Sequence, residues 1–220
     1  MSARIEDQSF PRPSLSDVID ARARFREVEP RGLFYRAATE LVALAREGKI
    51  GLELAEAIAV LLQTWNATYY RFSGKLDESH VVSLSRLIKS YGEYLSSVRE
   101  RSIRTLTSDD TGSVQQAFQD FEKLLGPVGA AKTLHLLAPT YFPLWDNEIA
   151  SRFGCRLTKR GSNGQKYCSF MLKMKEQVSR IFGNDRSIAD PLKALDEWSY
   201  CRFTLPMLER KRTQRANAPA

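Results

Sequence analysis

The sequence predicts an all-α protein, and two observations carry this prediction. Apolar residues recur at helical spacing along most of the chain; Leu84, Leu87 and Ile88, for example, fall at i, i+3 and i+4. No segment bounded by turn signals shows the two-residue alternation that indicates a strand. The chain has 220 residues, of which 43% are hydrophobic and 27% charged, as is typical of one well-buried globular domain.

The predicted helices follow one another along the chain. A first helix is expected after Ser14 or Ser16, because serine is a favoured N-cap and "SDVIDARARFREVE" can form the helix body. A second covers "GLFYRAATELVALAREG", and the longest covers "LELAEAIAVLLQTWNATYYRF", whose apolar start indicates a central position. Further helices are predicted over "HVVSLSRLIKSYGEYLSSV", "VQQAFQDFEKLL", "DNEIASRFG", "KYCSFMLKMKEQVSRIFG" and "PLKALDEWSYCRF", with a short helix at 132–137.

Both ends of the chain are expected to lie outside the helical domain. Residues 1–15 are polar and contain two prolines, Pro11 and Pro13, which predicts a flexible arm. Residues 206–220 include "ERKRTQRANAPA" and predict a disordered basic tail. One helical domain then covers residues 16–205.

Charge and cysteine content narrow the classes of function. A formal net charge of +7 favours a polyanionic partner, although charge alone identifies none. The three cysteines are widely spaced and odd in number, which argues against a disulfide framework or a zinc site and for a reducing compartment. Neither the apolar core of a signal peptide nor an apolar run of membrane-spanning length is visible. We therefore expect a cytoplasmic protein, nucleoid-associated if it is bacterial, with no cofactor.

The segment "GPVGAAK" at 126–132 joins two predicted helices. Two glycines in such a turn allow positive φ and a close approach to a ligand. The backbone N–H groups that begin the second helix would then form an anion site suited to a DNA phosphate. The alternative is a corner between two helices whose glycines only permit tight packing. The glycines alone do not choose between these interpretations.

Three segments together resemble the helix-hairpin-helix (HhH-GPD) DNA glycosylase superfamily. "LLGPVGAAKT" resembles the L-P-G-V-G-x-K-T-A hairpin, and "FPLWDNEIASRFG" resembles the next landmark, P-V-D-T-H-V-x-R-V-x-x-R-L-G. Upstream, "LLQTWNATYYRF" is similar to the L-x-Q-Q-T helix that lines the base pocket in the family. The matches occur in the family's order across residues 61–154. The cysteine cluster that binds iron–sulfur in some members is absent, so the resemblance is to a divergent branch without that cluster.

The resemblance implies a two-lobed helical bundle with a cleft between the lobes and a helix-hairpin-helix element at 114–138. It also implies an enzyme that excises a damaged, mismatched or modified base from DNA. Such excision builds positive charge on the deoxyribose, which a carboxylate beside the anomeric carbon stabilises. The family's catalytic aspartate corresponds to Asp146, whose place at a helix start favours the ionised form. The alternative is that Asp146 only caps the helix "NEIASRF".

Lys132 has three interpretations. In lyase-competent relatives the hairpin lysine forms a Schiff base with the sugar, which requires a deprotonated amine. Otherwise Lys132 contacts a DNA phosphate or is a solvated surface lysine. It lies one residue later than the family lysine, so a lyase step stays an open alternative.

The remaining candidate residues fall into two groups. Amide and aromatic groups suited to holding an extruded base are Gln63, Trp65, Asn66, Tyr69, His135 and Trp145. Each has a structural alternative, since aromatic residues and single histidines at helical spacing commonly belong to the core. The expected DNA-binding residues are Gly126, Val128, Gly129, Ala130, Lys132, Arg152, Lys159 and Arg160.

The sequence thus leads to a base-excising enzyme that acts on double-stranded DNA as a monomer, without membrane association. Two other classes stay open. One is a non-catalytic helix-hairpin-helix DNA-binding protein that has lost base chemistry, and the other is a helical interaction scaffold that binds no nucleic acid.

Overall fold

The computed structural model describes residues 10–29, 32–72, 76–183 and 188–216, and these residues form helices and no strand. The prediction of an all-α protein is therefore confirmed. No helix within the described ranges combines the length and apolar character that a membrane span requires. The helices are α1 (Leu15–Val28), α2 (Gly32–Arg46), α3 (Leu54–Trp65), α4 (Ala67–Phe72), α5 (Glu78–Ser90), α6 (Gly92–Arg99), α7 (Thr111–Leu137), α8 (Asn147–Arg152), α9 (Gly164–Phe182), α10 (Pro191–Ser199) and α11 (Leu205–Ala216). A short 3₁₀ helix covers Ile103–Thr105, and a π-helix, Tyr200–Thr204, joins α10 to α11.

One continuous hydrophobic core connects these elements, extending from Val18 in α1 to Trp198 in α10. The helix α2 packs on α3, α3 packs on α5 and α7, and α7 packs on α9. The first helix is distant in sequence from the last helices but packs on α10 and on the π-helix. The π-helix also contacts α8, so segments from both ends of the chain meet beside the start of α8.

The expected first helix begins at Leu15, with Ser14 as its N-cap. Ser14 forms a capping box with Asp17: its hydroxyl accepts a hydrogen bond from the Asp17 amide, and the Asp17 carboxylate accepts one from the Ser14 amide. Of the two serines that the sequence offered, Ser14 therefore caps the helix.

Two of the predicted helices are each divided in two. The longest prediction is interrupted at Asn66, where α3 ends and α4 follows. The side-chain amide of Asn66 donates to the carbonyl oxygen of Leu125 at 3.4 Å, so contact with α7 accompanies the break. The next prediction is interrupted at Tyr91, which separates α5 from α6 and donates its hydroxyl to Asp120 at 2.6 Å. In both cases a contact between distant segments coincides with a break that helical periodicity did not predict.

Our prediction of a flexible arm is wrong for residues 10–14, which pack against the helices. The ring of Phe10 packs against Phe153 with centroids 5.9 Å apart. The carbonyl oxygens of Pro11 and Pro13 accept hydrogen bonds from side chains of α9 at 2.6 Å. Residues 1–9 lie outside the described residues.

The predicted disordered tail is also wrong for residues 206–216, which belong to α11. Leucine, methionine, glutamate, lysine and arginine are strong helix formers, and Pro206 is in the first turn, where proline is tolerated. The many positive charges of this segment led us to predict disorder, but its helix-forming residues favour α11. Residues 217–220 lie outside the described residues.

Candidate functional site

A cavity of about 530 Å³ lies where α1, α3, α7, α8 and the π-helix meet. Its volume is in the range of small-molecule sites in proteins. Its wall includes aromatic rings, four carboxylates and one lysine from segments far apart in the sequence. The lining residues are Phe25, Glu29, Trp65, Asn66, Tyr69, Leu125, Gly126, Pro127, Val128, Lys132, Leu144, Trp145, Asp146, Asn147, Glu148, Asp196, Tyr200, Thr204, Met207 and Leu208.

The predicted hairpin is a one-residue break inside α7. Gly126 alone leaves the helical region, with φ 70° and ψ 168°, and Pro127 begins the second half of the helix. A Cβ atom on Gly126 would lie 3.0 Å from the ring of Tyr69. Only glycine meets both demands without strain, because a side chain there would have to adopt positive φ and also displace the ring. The break is covered by Tyr69 and faces the cavity.

Gly129 serves packing and not the turn. It has no positive φ, and a Cβ atom on it would lie 2.8 Å from Nδ2 of Asn66. Gly129 and Ala130 are both buried, which disagrees with our prediction that they contact DNA. The close approach of Asn66 to α7 is the physical reason for a small residue here, as in the packing interpretation of the glycines.

Asp146 is the N-cap of α8 and lines the cavity. Its Oδ1 accepts a hydrogen bond from the Ile149 amide at 2.7 Å, and its Oδ2 accepts one from the Thr204 hydroxyl at 2.7 Å. Loss of solvation on burial raises the pKa of the Asp146 carboxyl, although both hydrogen bonds and the charge of Lys132 act in the opposite direction. The net direction is the reverse of what its place at a helix start had led us to expect. Asp146 therefore caps α8 and also forms part of the cavity wall.

Lys132 lies in the cavity wall, partly buried, and its Nζ donates a hydrogen bond to the carbonyl oxygen of Trp65. The ammonium is also 5.6 Å from the centre of the Trp65 ring, within the range of a cation–π interaction. These contacts exclude the interpretation of Lys132 as a solvated surface lysine. The charge of Lys132 also opposes the rise in the pKa of Asp146, so the two groups lie within electrostatic range of each other.

A second lysine, Lys193, does not line the cavity but contacts aromatic rings that form its wall. Lys193 is 2% exposed, and its Nζ lies 2.7 Å from Asp196 and 5.2 Å from the centre of the Trp65 ring. The same ammonium is 4.6 Å from the ring centre of Phe25 and 4.9 Å from that of Tyr35. A buried ammonium group requires such partners. Lys193 therefore links the three rings to Asp196 beside the cavity.

The π-helix joins two carboxylates of the cavity. Tyr200 donates its hydroxyl to Glu29 at 2.5 Å, and Thr204 donates its hydroxyl to Asp146 at 2.7 Å. A π-helical turn inside a helix frequently occurs at functional sites. The sequence analysis missed Glu29, Tyr200 and Thr204, because they come from opposite ends of the chain and carry no local motif.

Several predicted pocket residues line the cavity and others do not. Trp65, Asn66, Tyr69 and Trp145 all line it, although Trp145 is 1% exposed and donates its Nε1 hydrogen to the Pro127 carbonyl at 3.0 Å. Gln63 is exposed and lies outside the cavity, because it points from the opposite face of α3.

His135 is also outside the cavity, so our placing of it in the base pocket is wrong. It is 1% exposed and is hydrogen-bonded to the Tyr35 hydroxyl at 2.7 Å and to the Phe142 carbonyl at 2.8 Å. Burial lowers its pKa to about 4, so the ring is neutral at physiological pH. It is a satisfied core histidine, the structural alternative stated for it.

The predicted cationic DNA contacts are exposed near the cavity. Arg152 pairs with the lining residue Glu148, with Nε 2.9 Å from Oε1. The guanidinium of Arg160 is 5.7 Å from the ring centre of Tyr69 and donates to the Lys123 carbonyl. Lys159, next to it, is exposed. The cavity wall is therefore rich in acids, whereas the surface beside it carries cations.

Comparison of the chain with protein-family models, with curated proteins and with solved structures gives no match. Among the described residues, no group of three or more histidine, cysteine, aspartate or glutamate side chains is placed to hold a metal ion. The chemistry of the cavity is therefore the basis on which a function can be assigned to this protein.

Proposed function

We propose that the protein is a DNA N-glycosylase that takes an extruded base into this cavity and releases it from the sugar. In this proposal the helices on the two sides of the cavity act as the two lobes of a glycosylase-like fold. The observation that carries the proposal is the joint presence of Asp146, Lys132 and the rings of Trp65 and Tyr69 in one cavity of about 530 Å³. Their place in one cavity agrees with the resemblance of the three sequence segments.

The aromatic wall supports the binding of an extruded base. Trp65 is held on one face by the stacked ring of Tyr35, with centroids 5.4 Å apart and an interplanar angle of 16°. Rings fixed in this way offer a stacking surface with little entropy cost, and enzymes that act on a base read it by stacking and edge hydrogen bonds.

Asp146 would supply the central chemistry. Cleavage of the N-glycosidic bond leaves positive charge on the sugar, and a carboxylate in a site of low polarity stabilises that charge more than it would in water. The raised pKa of Asp146 also makes its carboxylate a stronger base than a solvated one, which suits it to take a proton from the attacking water. Thr204 and the Ile149 amide hold the carboxylate in place through hydrogen bonds of 2.7 Å each.

The cations beside the cavity suit a polyanionic substrate. Arg160 and Lys159 are exposed on the loop before α9, and Arg152 is exposed on α8. Salt-dependent contacts of such residues with phosphates position a duplex without reading its sequence. The non-catalytic DNA-binding alternative shares these contacts and differs only in lacking the chemistry of Asp146.

The proposal is tested by incubating the full chain with duplexes that each carry one damaged, mismatched or modified base, followed by alkaline cleavage of abasic sites. We expect strand cleavage on at least one duplex with wild-type protein, and a loss of several orders of magnitude with Asp146→Asn. Asp109→Asn makes the same chemical change at an exposed site and serves as the matched control. Salt-dependent duplex binding without any base release would support the non-catalytic alternative, and no duplex binding would support the scaffold.

A further inference from the structure

The loop between α8 and α9 carries cations that the proposed function assigns to DNA, and one side chain within the loop fixes its shape. We call residues 155–163 the cationic loop, after Lys159 and Arg160. Asn163, the last residue of the loop, accepts a hydrogen bond from the Thr158 amide at 2.8 Å on its Oδ1. Its Nδ2 donates to the carbonyl oxygen of Lys159 at 3.2 Å. These bonds close the second half of the loop on itself.

Glu122 holds the Asn163 side chain from a neighbouring helix. It lies in α7 and is 0% exposed. Its Oε2 accepts a hydrogen bond from the Asn163 amide at 3.0 Å, and its Oε1 accepts one from Nδ2 of the same residue. A buried carboxylate is costly unless it is paired or hydrogen-bonded. Glu122 forms no ion pair within the described ranges, so the hydrogen bonds from the loop compensate its burial.

The tip of the cationic loop docks on α7 at the break in that helix. Pro127 has no N–H group, so the carbonyl oxygen of Lys123, four residues earlier, lacks the donor that a regular helix would supply. The guanidinium of Arg160 donates to this oxygen. The same group lies 5.7 Å from the ring centre of Tyr69, which lines the cavity. Glu122 and Arg160 thus attach the loop to α7 at two points, one of them beside the cavity wall.

We propose that Glu122 is a positioning residue for DNA binding, which fixes the cationic loop in the shape that contacts phosphates. It acts through Asn163 on the cations of the loop, Lys159 and Arg160. This inference rests on the proposed function, since it names the residue that organises the duplex contacts beside the same cavity. A loop that is fixed before association loses less conformational entropy when it binds. A guanidinium has several N–H donors, so the bond to the Lys123 carbonyl leaves Arg160 able to donate to a phosphate oxygen.

Glu122→Gln tests the inference, because loss of position and loss of charge change the affinity for DNA in opposite directions. The substitution turns one acceptor of the carboxylate into an NH₂ group that faces a donor of Asn163, so the loop should loosen. It also makes the protein more positive, which on its own would strengthen binding to a polyanion. We expect the dissociation constant for a fluorescent duplex, measured by anisotropy at about 100 mM salt, to rise about tenfold.

Three further variants separate position from charge. Glu93→Gln makes the same change of charge at an exposed glutamate on α6, and its dissociation constant should equal that of wild type or lie slightly below it. Asn163→Asp alone places two carboxylates together and should weaken binding. In the double variant of Glu122→Gln and Asn163→Asp the glutamine amide can donate to the aspartate, and the net charge is that of wild type. The double variant should therefore bind DNA more tightly than either Glu122→Gln or Asn163→Asp alone.

Hydrogen exchange without DNA measures the position of the loop directly. The amides of Thr158 and Asn163 donate hydrogen bonds to Asn163 Oδ1 and to Glu122 respectively. In Glu122→Gln both amides should exchange about tenfold faster. Gly161→Ala loosens the loop without any change of charge, because alanine is strained at the φ of 83° found there. Thermal unfolding checks that each variant folds; if Glu122→Gln does not, Gly161→Ala decides by the same two measurements.

Three results would overturn the inference: an affinity of Glu122→Gln equal to or above that of Glu93→Gln, a double variant no tighter than the single ones, or unchanged exchange of the loop amides. No binding of wild type to any duplex would overturn both the inference and the proposed function. Weaker binding by Glu122→Gln in a protein that releases no base would reject base excision and keep the inference. Base release by wild type, together with unchanged binding by Glu122→Gln, would reject the inference alone.

Discussion

Replacing Asp146 with asparagine separates the capping role of this side chain from its proposed chemical role. Asparagine caps helices about as well as aspartate, so the 2.7 Å bond from the Ile149 amide should persist. The hydroxyl of Thr204 donates to Asp146 at 2.7 Å, and in the variant it can rotate to accept a hydrogen bond from the asparagine amide. We therefore expect Asp146→Asn to fold.

Two opposing contributions set the change in the free energy of unfolding. Hydrogen bonds to charged groups contribute about 1.5–3 kcal/mol and neutral ones about 0.5–1.5 kcal/mol, so removing the charge weakens the two bonds by about 2 kcal/mol in total. The same change removes the cost of burying a charge. Because the pKa of Asp146 is raised, that cost exceeds the gain from the hydrogen bonds. At neutral pH the variant should match or exceed wild type in stability, within about 1 kcal/mol.

The pH dependence of this difference has a definite sign. A carboxyl whose pKa is raised by folding contributes stability that is fully present below its unfolded pKa and is lost as the pH rises through its folded pKa. Asparagine has no such dependence. The free energy of unfolding of Asp146→Asn, relative to wild type, should therefore increase from pH 3.8, the ordinary value for Asp146, up to its raised folded pKa and then level off.

Urea unfolding of both proteins at a series of pH values measures this difference, and the base-release assay is run on the same samples. We expect Asp146→Asn to be at least as stable as wild type at neutral pH and to be inactive in base release. A variant that loses more than about 3 kcal/mol would show that the charge stabilises the fold, as for one partner of a buried ion pair. A relative stability that falls with rising pH would refute the assigned direction of the pKa shift.

The remaining predictions concern neighbouring positions. Thr204→Val removes a hydrogen bond that lowers the pKa of the Asp146 carboxyl, so the acid limb of the pH–rate profile for base release should move to higher pH. Lys132→Gln should abolish any adduct that borohydride traps between the wild-type protein and DNA. Lys123→Gln is the control and should leave such an adduct unchanged. An adduct that persists in Lys132→Gln would exclude Lys132 as the nucleophile. Gly126→Ala should lower the free energy of unfolding by about 1–3 kcal/mol, since φ is 70° there and a tyrosine ring lies 3.0 Å from the new atom, whereas Gly112→Ala meets open space and should not destabilise. Equal stability of the two glycine variants would contradict this account of the break in α7.

Periodicity and capping rules predicted the helices because these features depend on residues close in sequence. Ser14 and Asp146 cap helices as residues of their type commonly do. The break at Asn66 was missed because it accompanies a contact with α7, 59 residues away. Tertiary contacts of this kind override local propensity.

The residues of the cavity were predictable where a local sequence motif marked them. Trp65, Lys132 and Asp146 were found from motifs in neighbouring parts of the chain, and the fold places them around one cavity. Glu29 and Tyr200 are 171 residues apart and meet only because α1 packs on the π-helix, which no local pattern could indicate.

The separation of acids in the cavity wall from cations beside it means that salt should act on binding and chemistry differently. In the proposed function, exposed cations such as Lys159 and Arg160 would gain affinity for DNA by releasing counterions, and salt would weaken that gain steeply. Asp146 would act from the partly buried cavity wall, where salt screens charges much less than at the exposed surface. We therefore expect the dissociation constant for a duplex to rise strongly between about 50 and 200 mM salt, while the single-turnover rate of base release at saturating protein stays nearly constant. Lys159→Gln should flatten the salt slope by about one, and Lys89→Gln, an exposed lysine on α5, should not. A single-turnover rate that falls in parallel with binding would mean that the exposed cations take part in the chemical step, and that the acids and cations do not have separate roles.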